Sequence, residues 1–177
     1  MSIHPAARPQ VETHLLGPCG AIPNNPRLAL LLYRGVLDQG DGEARAIGFE
    51  ALFGGNGWTN GWRDSIYRYH HFHANAHEVL GIAEGHARVR FGGEAGVAVD
   101  IAPGDVVVIP AGVAHCRLDD DPRLLVIAGY PDGAAPDMHR ETVQARRAIA
   151  AQVARVPVPT TDPVYGGDGP LIRCWRG

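Results

Sequence analysis

The sequence predicts an all-β sandwich or barrel, with helices confined to its flanks. Between residues 65 and 128, short alternating or apolar runs are separated by turn signals at close intervals, as sandwiches and barrels require. The 23 Gly and 14 Pro are spread through the chain without a period, which implies many turns and excludes collagen or a linker. A third observation marks where the chemistry lies. The tract His70-His-Phe-His-Ala-Asn-Ala-His-Glu78 holds four of the nine histidines and ends on a glutamate.

At 177 residues the chain fits one domain, or one domain with arms. The net charge is −3 and the 16 basic residues are scattered, which excludes an electrostatic footprint for nucleic acid. The longest apolar run, Leu28 to Tyr33, is far too short to span a bilayer. Residues Met1 to Gln10 lack the apolar centre of a secretion signal. Cys19, Cys116 and Cys174 are odd in number and far apart, so they form neither a disulfide framework nor a zinc pattern. The expectation is a soluble, cytoplasmic protein.

Taken in order, residues 1–27 read as an irregular surface arm. Residues 28–37 are apolar on both faces, so periodicity leaves buried strand and helix both open. Residues 42–53 suit a helix, which Gly54-Gly-Asn-Gly57 stops. Trp58 and Trp62 read as a packing cluster, with a binding-site wall as the alternative. Strands are expected at 65–73, 78–83, 86–91, 97–101, 106–109, 113–118 and 124–128. Residues 138–154 read as a helix, on the partial apolar stripe Val143, Ile149 and Val153. The Pro-rich tail from Val156 to Pro163 must be extended, and Leu171, Ile172 and Trp175 are candidates to anchor it. This divides one structural unit into an N-terminal arm and helix (1–64), a barrel core (65–131), and a C-terminal helix with its tail (132–177).

Side chains alternate across a strand, so His71 and His73 face one way and His70 the other. Imidazole is the commonest protein metal ligand, and two on one face make half a site. Glu78 follows His73 after a four-residue gap, room for a tight reversal that returns its carboxylate. A fourth ligand must come from elsewhere, and His115 is the obvious supplier.

These residues resemble the two cupin motifs. The first reads His71-x-His73, four residues, Glu78, six residues, Gly85. The second reads Gly104, five residues, Pro110, Gly112, two residues, His115. The family's leading Gly is Ser65 here, and its closing Asn is Asp119. The flanking phrases Ile22-Pro-Asn-Asn-Pro26, Gly57-Trp58, Gly129-Tyr-Pro-Asp-Gly133 and Asp162-Pro-Val-Tyr-Gly166 are similar to the largely uncharacterised YjlB-type single-domain cupins. The resemblance implies a double-stranded β-helix, or jelly roll. It also implies one divalent transition metal held by His71, His73, Glu78 and His115. A nitrogen-rich site of this kind accepts Fe, Ni, Mn, Zn or Cu.

Around this set, His77 reads as a supporting or surface residue and His70 as structural. His4, His14, His86 and His139 read as solvated. Arg117 shares the parity of His115. It therefore either faces the pocket to hold an anion or lies exposed at a strand end. Tyr69 shares the parity of His71 and is a candidate pocket wall or acid/base group, with a core aromatic as the other reading. Four ligands leave coordination positions open for a small-molecule ligand. The function expected is a metalloenzyme acting on a small oxygen-rich organic molecule, of oxygenase, isomerase or lyase type. A non-catalytic binding or sensor cupin is the alternative, weakened by the lack of a helix-turn-helix pattern. Pairing through sheet edges makes a homodimer the expected assembly.

Overall fold

The run that periodicity leaves open, Leu28 to Leu37, explains the layers. In a computed structural model, which describes residues 10–142 and 144–177, it is mostly strand. His4 and Val143 lie outside the described residues. Leu30 and Leu32 point into the space between two sheets, where they meet Leu80, Val107, Val89, Phe91 and Ile101. Leu31 and Tyr33 point the other way, onto Phe49, Phe53, Leu171 and Trp175. A strand covered on both faces reads as a continuous apolar run.

The elements are β1 (Gln10–Leu16), β2 (Asn25–Arg34), α1 (Gly42–Gly55), β3 (Trp58–Thr59), β4 (Arg63–Asp64), β5 (His71–Phe72) and β6 (Glu78–Glu84). Then follow β7 (Ala87–Phe91), β8 (Val97–Ile101), β9 (Val106–Ile109), β10 (His115–Arg117), β11 (Leu125–Pro131), β12 (His139–Arg140), α2 (Arg146–Val153) and α3 (Pro170–Arg176). One sheet runs β1-β2-β9-β6-β11-β3, with β4 also on β11; the other runs β12-β5-β10-β7-β8. All the pairings are antiparallel. The fold is a jelly roll of two antiparallel sheets with flanking helices, as the sequence predicts.

Helix α1 starts where Asp41 caps it, its carboxylate accepting from Ala44 N at 2.9 Å. It packs on the outer face of β6 through Phe49. A Cβ at Gly81 would lie 2.6 Å from that ring, so only glycine fits there. Phe49 and Phe53 are fully buried, each stabilising by roughly 1.5–3 kcal/mol on the area scale.

Four expectations need correction. The arm is not wholly irregular, because β1 adds to the sheet by pairing with β2. Residues 65–70 are not strand, and of the expected 65–73 only His71–Phe72 is. The second helix is Arg146–Val153 alone, because His139 and Arg140 pair with Phe72 and His71 instead. The tail is not extended to its end but closes in α3, which carries a proline in its first turn.

The tail is docked rather than loose. Asp162 is completely buried; its Oδ2 accepts from Tyr33 Oη at 2.7 Å and Leu171 N at 2.9 Å. Its Oδ1 accepts from Val164 N at 2.8 Å and Tyr165 N at 3.0 Å. Burial, then the neighbouring Asp162 charge, pushes the Tyr33 pKa far up, so it stays a donor. Trp175 Nε1 donates to Ala29 O at 2.9 Å, fastening α3 to β2.

Candidate metal centre

Register brings the two motifs together. His115 on β10 stands directly opposite His71 on β5, so both imidazoles rise from one face, ring centroids 4.0 Å apart. His73 follows β5 and sits 6.2 Å from His115, centroid to centroid. Glu78 opens β6 in the facing sheet. Single ligand atoms of His73, Glu78 and His115 lie within 4.8 Å of one another, and all three residues are buried. His71 adjoins this group but is not within it.

Each imidazole is held by its Nδ1. His71 Nδ1 meets Tyr69 O at 3.2 Å, His115 Nδ1 meets Val113 O at 3.4 Å, and His73 Nδ1 meets Asp137 O. A carbonyl can only accept, so Nδ1 carries a proton in all three, which in the neutral ring leaves Nε2 its lone pair. Ligating histidines are generally oriented this way, by a hydrogen bond from the other ring nitrogen.

Glu78 completes the set. Its Oε1 accepts from Tyr130 Oη at 2.7 Å. Its Oε2 is buried without a hydrogen-bond partner, although His115 Nε2 and His73 Nε2 stand 3.3 and 3.5 Å away. Buried polar atoms are almost always satisfied, so this orphan oxygen fits a cation ligand. A carboxylate oxygen and two imidazole nitrogens facing one point are a donor set for a divalent transition metal. These side chains are also coupled through charge. Burial pushes the Glu78 carboxyl up, but His115 and His73 outweigh it and hold it well below its usual range. Burial, then His115, brings His71 down to about 3, so it stays neutral. For His73 burial acts downward, yet the Glu78 carboxylate outweighs it and the net shift is upward.

The second motif is placed by two asparagines. Asn24 Nδ2 donates to Gly17 O at 2.7 Å and Gly92 O at 2.9 Å, while its Oδ1 accepts from Ala114 N at 3.2 Å. Asn25 Nδ2 donates to Ala111 O at 3.0 Å. Gly112, at φ +89°, donates its N–H to His73 O at 2.7 Å, tying one motif to the other. His77 bridges the same loop to the tail. It accepts from Ala111 N at 2.9 Å on Nδ1 and donates from Nε2 to Pro157 O at 3.2 Å. It is therefore a buried strut. His139, expected in solvent, stacks on Phe72 at 5.3 Å.

The site opens into a cavity of about 260 Å³. Trp62, Ile66, Leu80 and Met138 form apolar walls, and Tyr67, Tyr130, Asn60 and Asp137 add polar ones. Neither Tyr69 nor Arg117 lines it. Strand parity does not apply to Tyr69, which lies outside β5. Its ring stacks on Tyr67 at 4.9 Å, and the Arg140 guanidinium sits 3.8 Å over it. Arg117 is buried with each guanidinium nitrogen engaged: Nε to Asp119 Oδ1 at 2.8 Å, Nη1 to Ser65 Oγ at 2.8 Å, Nη2 to Asp121 O at 2.5 Å. Ser65 and Asp119 are the two departures from the cupin motifs, and one arginine joins them.

Tyr130 is the functional residue that sequence reasoning passed over. It lies 52 positions from Glu78, and no spacing rule links them. Burial, then the Glu78 charge, pushes its pKa far up, so it remains protonated.

Comparison with known proteins identifies the family. A family model described as "Cupin" matches residues 67–150. A Bacillus subtilis (strain 168) protein titled "Uncharacterized protein YjlB" is 36% identical over 166 residues, covering 94% of this chain and 97% of its own. Among solved structures, acireductone dioxygenase from Bacillus anthracis, with cadmium in its active centre, is 19% identical at a TM-score of 0.37, over 54% of this chain and 65% of that one. DMSP lyase from Ruegeria pomeroyi is 17% identical at 0.36, over 75% and 51%. Procruciferin, an 11S globulin from Brassica napus, is 15% identical at 0.37, over 65% of this chain and only 23% of that one. By motif, by register and by a relative aligned over nearly its whole length, the chain belongs to the cupin family, as a YjlB-type cupin.

Proposed function

We propose that this cupin is a metal-dependent enzyme acting on a small oxygen-rich organic molecule, with one divalent transition metal held by His71, His73, Glu78 and His115. The observation that carries the reading is the buried Glu78 Oε2, which has no hydrogen bond and faces two imidazole Nε2 atoms. The ion would supply Lewis-acid or redox chemistry, which suits an oxygenase, isomerase or lyase step. The chain's own residues bind and orient. Trp62, Ile66, Leu80 and Met138 exclude water from the apolar part of a ligand. Among the described residues that line the cavity there is no Lys or Arg, so an anionic group would be met at the ion rather than by a guanidinium.

Two further expectations belong to this reading. Strand β1 pairs with β2 alone and β8 with β7 alone, leaving sheet edges through which a homodimer can form. The free thiols Cys19, Cys116 and Cys174 suit a reducing cytoplasm. Among the described residues, no helix is long and apolar enough to cross a membrane.

The test is a panel of hydroxy acids, keto acids and enolisable ketones, incubated with the purified protein and analysed by mass spectrometry. Turnover that stops on chelation and returns with one added metal is expected. Metal-dependent binding without turnover of any member would favour a non-catalytic binding module.

A further inference from the structure

The two oxygens of Glu78 have different surroundings, and the difference is built by residues outside the motifs. Tyr130 Oη lies 2.7 Å from Oε1, and Trp62 Nε1 lies 2.8 Å from the same hydroxyl. An indole N–H can only donate, so the Tyr130 oxygen accepts from Trp62. Its own hydrogen is thereby left for the carboxylate. The chain of bonds has one direction, from Trp62 to Tyr130 to Glu78, and it ends on one oxygen only. The other oxygen, Oε2, faces His73 and His115 with no hydrogen bond.

We propose that Tyr130, held as a donor by Trp62, is a positioning residue that reserves Oε2 of Glu78 for the metal. This rests on the reading of the metal centre above. A carboxylate left alone turns about its last torsion, which is broad, and offers an ion either oxygen or both. A hydrogen bond on Oε1 fixes that torsion and leaves a single oxygen free. Outer residues that orient ligands in this way typically contribute 10–100-fold to metal affinity. Tyr130 also sets the face of a second ligand, because its ring meets the His73 ring edge-on at 6.0 Å. Both Tyr130 and Trp62 line the cavity, so the chain of bonds runs along the wall that a substrate would touch. The hydroxyl proton of Tyr130 is committed to Glu78, which makes it a poor acid toward a substrate.

The experiment titrates full-length protein, stripped of metal with a chelator, with cobalt(II). Affinity is read by competition with a chromophoric chelator, and ligand geometry by the visible bands of the bound ion. Tyr130→Phe is expected to weaken cobalt binding about 10–100-fold and to change the band pattern. Trp62→Phe should shift both in the same direction by less. Tyr33→Phe removes a hydroxyl from another buried carboxylate, Asp162, remote from the cavity. It should bind cobalt as the wild type does, which separates positioning from loss of stability. If Tyr130→Phe does not fold, Trp62→Phe decides alone. Wild-type affinity and wild-type bands in the folded cavity variants overturn the proposal and leave the metal centre standing. A wild-type protein that takes up no cobalt overturns the metal centre, and this inference with it.

Discussion

Acid should weaken this fold in part through His77. The imidazole is buried, accepts from Ala111 N on Nδ1 and donates to Pro157 O from Nε2. Protonation would put a hydrogen where Nδ1 must accept. Burial lowers its pKa from 6.5 to about 4. The depressed value means that the folded state binds fewer protons than the unfolded state between these limits. Stability is thus complete above pH 6.5 and is lost as pH falls toward 4. Integrating the linkage gives a loss of about 2 kcal/mol at pH 5 and about 3 kcal/mol at pH 4. The assay is urea unfolding from pH 7.5 to 5 on chelator-treated protein, so that acid release of a metal does not contribute. His77→Gln is the comparison, because the amide carries an acceptor and a donor but does not titrate. The wild type should lose about 2 kcal/mol more than His77→Gln over that range. Parallel pH profiles for the two proteins would refute the reasoning.

Three other perturbations follow from the hydrogen bonds. Asp162→Ala strips the partner from buried Tyr33 Oη, Val164 N and Leu171 N. At about 1–3 kcal/mol for each orphaned donor, it should cost roughly 3 kcal/mol or more, read by denaturant midpoint. Gly112→Ala forces a side chain onto φ +89° and puts its Cβ 2.5 Å from Asn24 O. It should cost about 1–3 kcal/mol or more and lower metal retention with it, measured by thermal unfolding and metal content. Arg117→Lys loses the fork that spans Ser65, Asp119 and Asp121. It should destabilise by about 1.5–3 kcal/mol while leaving metal content unchanged; a loss of metal would return Arg117 to the site.

What could be read from the sequence follows the physics of local order. The His-x-His spacing, the helix stopped at Gly54-Gly55 and the strands from Glu78 to Leu125 all depend on near neighbours, and they are where the sequence places them. The run at Leu28 could not be decided because its two faces are covered by different layers, one between the sheets and one beneath α1 and α3. Parity misled for Tyr69 because residues 65–70 leave the ladder, and for Arg117 because Ser65 and Asp119 capture its guanidinium. Strand β1 and helix α3 are fastened by distant partners, β2 and Asp162. Tyr130, Trp62, Asn24 and Asn25 act on the site through hydrogen bonds spanning 52 to 90 positions. Only the fold brings such pairs together.

The central claim is that His73, Glu78 and His115, with His71, exist to hold one metal ion. Elemental analysis of the freshly purified protein tests it most directly. The wild type should carry about one equivalent of divalent transition metal per chain. His73→Ala, Glu78→Gln and His115→Ala should lower that sharply, while His86→Ala, at an exposed position, should not. Equal metal content in the wild type and all four variants, or none in any, would contradict the account.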